Sequence, residues 1–194
     1  MSKLFVAALL PLLTIPAAAQ TGQQPTANPL STWLHQAFVN NRNNIVRSAE
    51  KVPEENYLMR PGLQENVRSF AAQLGHIANY NYLWCSQAKG EKNPNAGNNL
   101  EELTTKAELV KALNEAFDYC DAVYTALTDK SGTEMIDITQ ENGRQTRNLR
   151  MALLILNYGH NNEIYGSMVT YMRIKSIVPP ASEPRPARGE QPPR

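Results

Sequence analysis

The chain has 194 residues, with 19 basic and 18 acidic side chains, three histidines and two cysteines. Its length predicts one domain, and an apolar content of 42% excludes a wholly disordered protein. Because the charges nearly balance and no basic run occurs, nucleic-acid binding is not expected. Two cysteines are too few for a disulfide-rich scaffold or a four-cysteine zinc ribbon.

Residues 1–19 have the pattern of a secretory signal peptide. Lys3 precedes an apolar run from Leu4 to Ile15, and three alanines follow Pro16. The run is short for a membrane span and is interrupted by proline. We therefore expect cleavage after Ala19 and a periplasmic or secreted protein that has no membrane attachment.

Both ends of the mature chain are polar and rich in proline. Residues 20–30 are expected to form a flexible leader. Residues 179–194 contain six of the thirteen prolines and almost no large apolar side chain, which predicts a disordered tail. The folded domain is therefore expected to span residues 31–178.

Two helices are predicted in the first half of this domain. Ser31 can cap a helix that ends at Pro53, with apolar side chains from Trp33 to Val52 at helical spacing. A second helix is predicted from Val67 to Ala88. Its polar stripe is narrow, which indicates packing on more than one side.

Two further helices complete the predicted all-α architecture. Thr105 and Glu108 have the spacing of a capping box that opens the third helix. The fourth is expected from about Arg144 to Ile174, after a polar connection over residues 129–143. No segment predicts a strand, so the pattern favours a four-helix bundle.

Histidines are the most chemically informative residues of these helices. A helical wheel places His160 at the centre of an apolar stripe, which predicts an imidazole directed into the core. His76 lies on the second helix, and His35 is interpreted as a boundary residue of the first. Spacing alone leaves open whether the first two are structural or converge on a metal ion.

A run in the fourth helix carries a family resemblance. It reads Leu156-Asn157-Tyr158-Gly159-His160-Asn161-Asn162-Glu163-Ile164-Tyr165-Gly166, and the second helix contains Leu74-Gly75-His76-Ile77-Ala78. Together these motifs resemble the exported branch of the DinB family of metal-dependent four-helix bundles. The resemblance covers about residues 33–180.

The resemblance implies a divalent-metal site made of three histidines. His76 and His160 match two of them, whereas the third position holds Ile164, which cannot bind metal. Glu163 is a weak candidate to replace it, with a structural or solvent-facing carboxylate as the alternative. Zinc, nickel, iron or manganese is the implied ion, bound weakly if only two protein ligands remain.

Three functions follow from this resemblance. The first is a degenerate metal or small-ligand pocket at His76 and His160, with Ile164, Tyr171 and Tyr80 as further pocket residues. The second is a metal-dependent hydrolase or a thiol-type transferase, and the third is a structural or interaction bundle. A small molecule is the expected partner, and a homodimer is left open.

The remaining candidates are the cysteines and two acidic pairs. Export predicts an oxidising compartment, so Cys85 and Cys120 are expected to form one disulfide between the second and third helices. Two free thiols or a redox pair are the alternatives. The pairs Glu54-Glu55 and Glu101-Glu102 are interpreted as solvated loop charges or helix-entry charges, and not as catalytic carboxylates.

Overall fold

The computed structural model describes residues 27–64, 66–140 and 143–184. Four long helices form a bundle, as the periodicity predicts. They are α1 (Pro29–Lys51), α2 (Phe70–Lys89), α3 (Lys106–Ala126) and α5 (Arg150–Ile174). A four-residue helix α4 (Asp129–Gly132) and two strands, β1 (Met135–Thr139) and β2 (Gln145–Leu149), separate α3 from α5.

The cap of α1 lies three residues before its predicted position and inside the predicted leader. Asn28 is the N-cap and Pro29 occupies the first turn, where its missing N–H costs nothing. Ser31 lies inside the helix and is buried, so its assignment as the cap is wrong. Trp33, which was placed on the apolar face, is 62% exposed because the buried face of α1 lies along Leu34, Phe38 and Ile45.

Capping and a disulfide fix α2 and α3. The Ser69 hydroxyl accepts the Ala72 N–H at the start of α2, which begins at Phe70 and not at the predicted Val67. The Thr105 hydroxyl accepts the Glu108 N–H at the start of α3, as predicted, whereas the Glu108 carboxylate accepts from the Thr105 hydroxyl and not from its N–H. The two helices pack together, and a disulfide joins Cys85 to Cys120 across Cα atoms 5.4 Å apart. The predicted disulfide is therefore present, and α2 also packs against α5.

An antiparallel hairpin replaces the predicted start of the fourth helix. Strands β1 and β2 pair Met135 with Leu149 and Thr139 with Gln145. The expectation of no strands is wrong here. Residues 135–139 carry a short apolar alternation that buries Ile138, whereas β2 has the polar sequence Gln145-Thr146-Arg147-Asn148-Leu149 and shows no apolar period.

The buried face of α5 is rotated from the predicted stripe. Its fully buried positions include Leu154, Asn157, Asn161 and Met168, while Leu156 is half exposed. His160 is half-buried and lies at the edge of this face. A wheel based on hydrophobicity cannot find a face that buries two asparagines, so the central placement of His160 is wrong.

The first part of the tail packs on the bundle. A 3-10 turn spans Pro180–Ser182, the Tyr165 hydroxyl accepts the Ala181 N–H, and Lys51 pairs with Glu183 at 2.7 Å. The prediction of disorder is wrong for residues 179–184. The rest of the tail and the predicted signal peptide lie outside the described residues. Within the described part, no helix has the length and hydropathy needed to cross a bilayer.

Candidate functional site

Helices α2 and α5 bring two histidines into direct contact. The Nε2 atoms of His76 and His160 are 3.1 Å apart, and the ring centroids are 4.9 Å apart. His76 is 7% exposed. The structure therefore brings together two of the candidate residues that lie 84 positions apart in the chain.

A glutamate from the loop after α2 holds the far side of the His76 ring. His76 Nδ1 lies 2.6 Å from Glu101 Oε1, in the 3-10 turn Leu100–Glu102. Gly75 permits this approach, because a Cβ there would collide with the Leu100 carbonyl and lie 2.7 Å from Glu101 Cα. Glu101 therefore lies at a helix entry, as one predicted alternative has it, but its carboxylate is bonded to His76 and is not merely solvated.

Arg68 is the second partner of this carboxylate. Its Nε donates to Glu101 Oε2 at 2.7 Å, and its carbonyl accepts the Tyr171 hydroxyl at 2.5 Å. Partial burial opposes ionisation of Glu101, but the hydrogen bonds from Arg68 and His76 outweigh it and keep the pKa of its carboxyl below the usual value. Tyr171 thus supports the site through Arg68, and no ring contact joins it to either histidine among the described residues.

Two aromatic rings of α2 cover the histidine pair. The Tyr80 centroid lies 4.5 Å from His76 and 4.7 Å from His160, and the Trp84 ring meets His160 edge-on at 4.9 Å. Burial of the imidazole, followed by the nearby His76, lowers the pKa of His160 from 6.5 to about 4. His160 is therefore neutral at physiological pH.

The hydrogen bonds assign protons within the pair. With Nδ1–H of His76 donating to Glu101 and Nε2 of the same ring accepting, the proton between the rings belongs to His160 Nε2. His160 Nδ1 is then left without a proton; it makes no hydrogen bond of normal geometry to a described residue, although the adjacent Asn161 side chain acts to raise the pKa of the ring. Both ring nitrogens of His76 therefore have hydrogen-bond partners, whereas only Nε2 of His160 has one of normal geometry.

The arrangement fits a divalent metal ion only in part. Two Nε2 atoms 3.1 Å apart can each reach about 2.0–2.1 Å from one ion, and a carboxylate on His76 Nδ1 is the usual support of a ligating histidine. Ile164 is buried and supplies no donor, and Glu163 is exposed. Within the described ranges, no group of three His, Cys, Asp or Glu residues is placed to hold a metal.

A cluster of buried amides lies beside the pair on the same two helices. Asn81 Oδ1 accepts hydrogen bonds from Asn157 Nδ2 at 2.7 Å and from Asn161 Nδ2 at 2.8 Å. The Tyr124 hydroxyl lies 2.9 Å from Asn157 Oδ1 and ties α3 to the cluster. These directional bonds set the rotation of α5 and hence the position of His160 next to His76.

An open groove of about 730 Å³ begins at the aromatic side of the pair. We call it the amide groove; α2, the loop of residues 93–99, the hairpin and the start of α5 form its walls. Asn79 fixes the loop, since its Oδ1 accepts from Leu100 N and from Asn95 Nδ2 and its Nδ2 donates to Asn99. Tyr80 and Trp84 line the groove as well as covering His160.

Sequence reasoning missed Glu101, Trp84 and the amide groove as parts of a site. Glu101 lies 25 residues from His76, and no spacing rule connects a loop carboxylate with a helix at that distance. The available signal was Gly75 directly before His76, because a glycine inside a helix permits close approach of another backbone.

Comparison with known proteins identifies the family. The family model described as the DinB superfamily matches residues 37–162. None of the curated proteins matches the chain significantly.

Solved structures share the fold. A DinB-like protein from Bacillus subtilis is 22% identical, with a TM-score of 0.58 over 74% of this chain and 92% of that one. A DinB-like protein from Bacillus cereus is 14% identical, with a TM-score of 0.58 over 76% of this chain and 93% of that one. The family match covers most of the bundle, and the chain therefore belongs to the DinB superfamily.

Proposed function

We propose that this protein carries a degenerate metal centre, in which His76 and His160 bind a divalent ion weakly and reversibly. The observation that carries the proposal is the 3.1 Å separation of the two Nε2 atoms, with Glu101 on His76 Nδ1. Both Nε2 nitrogens can face one ion once the His160 proton moves from Nε2 to Nδ1, and a neutral imidazole can adopt that tautomer.

Two features argue against a tightly held ion. Ile164 occupies the position at which the family resemblance implies a third histidine. His160 Nδ1 also has no acceptor among the described residues, and such a partner normally orients a ligating imidazole. Two protein ligands and one supported ring favour a centre that binds the ion reversibly. They do not favour a centre that keeps the ion as a resident catalytic cofactor.

The chemistry of such a centre is limited by its ligands. A bound divalent ion supplies Lewis acidity to a molecule that reaches it. Glu101 favours the His76 tautomer whose Nε2 carries no proton, and Tyr80 and Trp84 pack against His160 on the groove side.

Calorimetric titration with Zn²⁺ and Ni²⁺ tests the proposal. We expect saturable, weak binding to the chelator-treated protein, no binding to His160→Ala, and at least about tenfold tighter binding to Ile164→His, because a third imidazole completes the set. His35→Ala is the matched control, since this histidine lies on α1 and pairs with Asp121 instead.

Two results would contradict it. One equivalent of metal that survives dialysis in the wild-type protein means that the centre is complete, and it would favour the metal-dependent hydrolase or transferase. An Ile164→His variant that binds no more tightly than the wild type means that position 164 does not face the pair.

A further inference from the structure

The amide groove has an unusual lining for a chain in which 19% of the residues are charged. None of the described residues that line it carries a charge, and eight carry a side-chain amide. Its volume of about 730 Å³ falls in the range of small-molecule sites. A charged ligand would find no counter-ion on these walls, so the lining indicates a neutral ligand.

The amides divide into a framework and a free set. Asn79, Asn95 and Asn99 bond one another or the adjoining main chain and hold the loop in place. In contrast, the side-chain amides of Gln87, Asn98 and Gln140 have no protein partner in the described part of the chain. Each of the free amides offers an acceptor oxygen and a two-proton donor nitrogen.

Free amides of this kind match a ligand with many hydroxyl groups. A hydroxyl both donates and accepts, and one amide can bond two neighbouring hydroxyls of the same ring. Gln87 lies on α2, Asn98 on the loop and Gln140 beside the hairpin, so the three amides approach the groove from different walls. A ligand that uses all three must present hydroxyls on several edges.

The aromatic wall favours one polyhydroxylated class over others. Tyr80 and Trp84 have centroids 4.9 Å apart, and both rings line the groove. The face of a pyranose ring carries C–H groups, which are attracted to the negative face of an aromatic ring, while its edge carries hydroxyls. An extended peptide also bonds amides, but it has no such flat, apolar face for the two rings.

We propose that the amide groove binds a short neutral oligosaccharide, with one sugar ring against Trp84 or Tyr80 and its hydroxyls on Gln87, Asn98 and Gln140. The inference does not depend on the metal centre, because none of these three amides contacts His76 or His160. It assigns to the protein a ligand class that membership of its superfamily does not supply.

A tryptophan reporter makes the groove directly observable. The chain has two tryptophans, and Trp33 lies on α1 in a separate recess of about 350 Å³, which it shares with Tyr158. In a Trp33→Phe background, the only tryptophan emission comes from Trp84. A ligand that enters the amide groove will change this emission, whereas a ligand at the α1 recess will not.

The experiment screens this variant, with a chelator present, on an array of neutral and acidic oligosaccharides. Hits, together with cellotriose, chitotriose and maltotriose, are then titrated by Trp84 fluorescence. We expect saturable binding of a neutral oligosaccharide, weakened at least about tenfold by the combined change Gln87→Ala, Asn98→Ala and Gln140→Ala, since each neutral hydrogen bond contributes modestly. These side chains hold no part of the fold, and circular dichroism will verify it.

Gln64→Ala is the matched control, because this exposed amide lies outside the groove and should leave the affinity unchanged. The proposal is overturned if no neutral oligosaccharide binds, if binding leaves Trp84 emission unchanged, or if the triple variant binds as well as the parent. Saturable binding of tetra-alanine in place of the sugars would assign the groove to a peptide. Because a chelator is present throughout, each of these outcomes is independent of the metal titration.

Discussion

Two histidine–carboxylate pairs occur in this molecule, and only one of them belongs to a candidate site. His76 and Glu101 lie 2.6 Å apart with side chains 9% and 24% exposed, whereas His35 and Asp121 lie 2.9 Å apart with side chains 31% and 39% exposed. Each histidine also contacts a tyrosine ring. The short contact is therefore common to both pairs.

Their surroundings differ. His76 has a second imidazole on its other nitrogen, and Arg68 holds Glu101. On α1, His35 stacks on Tyr124 and contacts no other histidine among the described residues. A surface ion pair contributes little, but a buried pair with a free nitrogen facing another donor can bind a ligand. Burial and a second donor therefore distinguish the candidate site from the exposed pair, and the carboxylate alone does not.

The largest effect on stability is expected where α2 packs closely against the turn that carries Glu101, at Gly75. The His35–Asp121 pair has no such glycine beside it in the part of the chain that the structure describes. Gly75→Ala would drive a methyl group into the Leu100 carbonyl and displace the turn that carries Glu101. We expect a loss of about 2–3 kcal/mol in the free energy of unfolding, measured by urea denaturation. The His76 imidazole signals in NMR spectra should shift as well.

Gly166→Ala is the matched control for this change. A Cβ at Gly166, on the exposed face of α5, meets no atom within 4 Å. This variant should be more stable than the wild type by about 0.5–1 kcal/mol, because alanine favours the helix. Equal stability of the two variants would mean that the turn moves freely and that Gly75 does not position Glu101.

A smaller effect on stability is expected from pH. It distinguishes the His76–Glu101 pair, which has His160 beside it, from the His35–Asp121 pair, which contacts no second histidine among the described residues. His160 has a pKa of about 4 when folded and about 6.5 when unfolded, so between these values the unfolded chain binds a proton that the folded chain does not. Stability is therefore complete above about pH 6.5 and falls as the pH drops toward 4. Solvent near the half-buried ring limits the loss to about 1–2 kcal/mol.

Chemical denaturation at several pH values will check this dependence. His160→Gln should flatten the profile between pH 6.5 and 4, since it removes the titrating ring, while His35→Gln should keep it. The lowered pKa of Glu101 adds its own loss only at lower pH, as that carboxylate becomes protonated. An unchanged slope in His160→Gln would assign the dependence to another group.

The smallest expected effect compares the two carboxylates directly. Glu101→Gln keeps the size of the side chain but removes the charge that His76 and Arg68 share, and should cost about 1 kcal/mol in unfolding free energy. Asp121→Asn, at the exposed pair, should cost about 0.5 kcal/mol or less. Equal costs in thermal and urea denaturation would show that the two pairs are energetically alike.

Much of the fold follows from the sequence. Thr105 caps α3 as its spacing predicts, and the four long helices lie where apolar periodicity places them. The first part of the predicted fourth helix is a strand, because residues 145–149 pair with 135–139 through main-chain bonds that no periodic signal in β2 announces. Residues 179–184 likewise pack on α1 and α5 through contacts of Lys51 and Tyr165 that the prolines conceal.

Part of the candidate site could also be predicted from the sequence, and part of it could not. Local residue types identified His76 and His160 through a motif, and they predicted that Ile164 supplies no ligand. The rotation of α5, however, depends on hydrogen bonds that Asn157 and Asn161 make to Asn81, and Asn81 lies on α2. A pattern of hydrophobicity treats these amides as surface residues and therefore misplaces the helix face.

The helical bundle, the cysteine pair and the two histidines can be predicted from the chain alone, because capping, periodicity and residue chemistry are local properties. Three facts emerge only in the folded protein: Glu101 contacts His76, the two histidines contact each other, and neutral amides from three segments line one groove. Those facts depend on how distant segments pack, and the space beside Gly75 and the hydrogen bonds of buried amides set that packing.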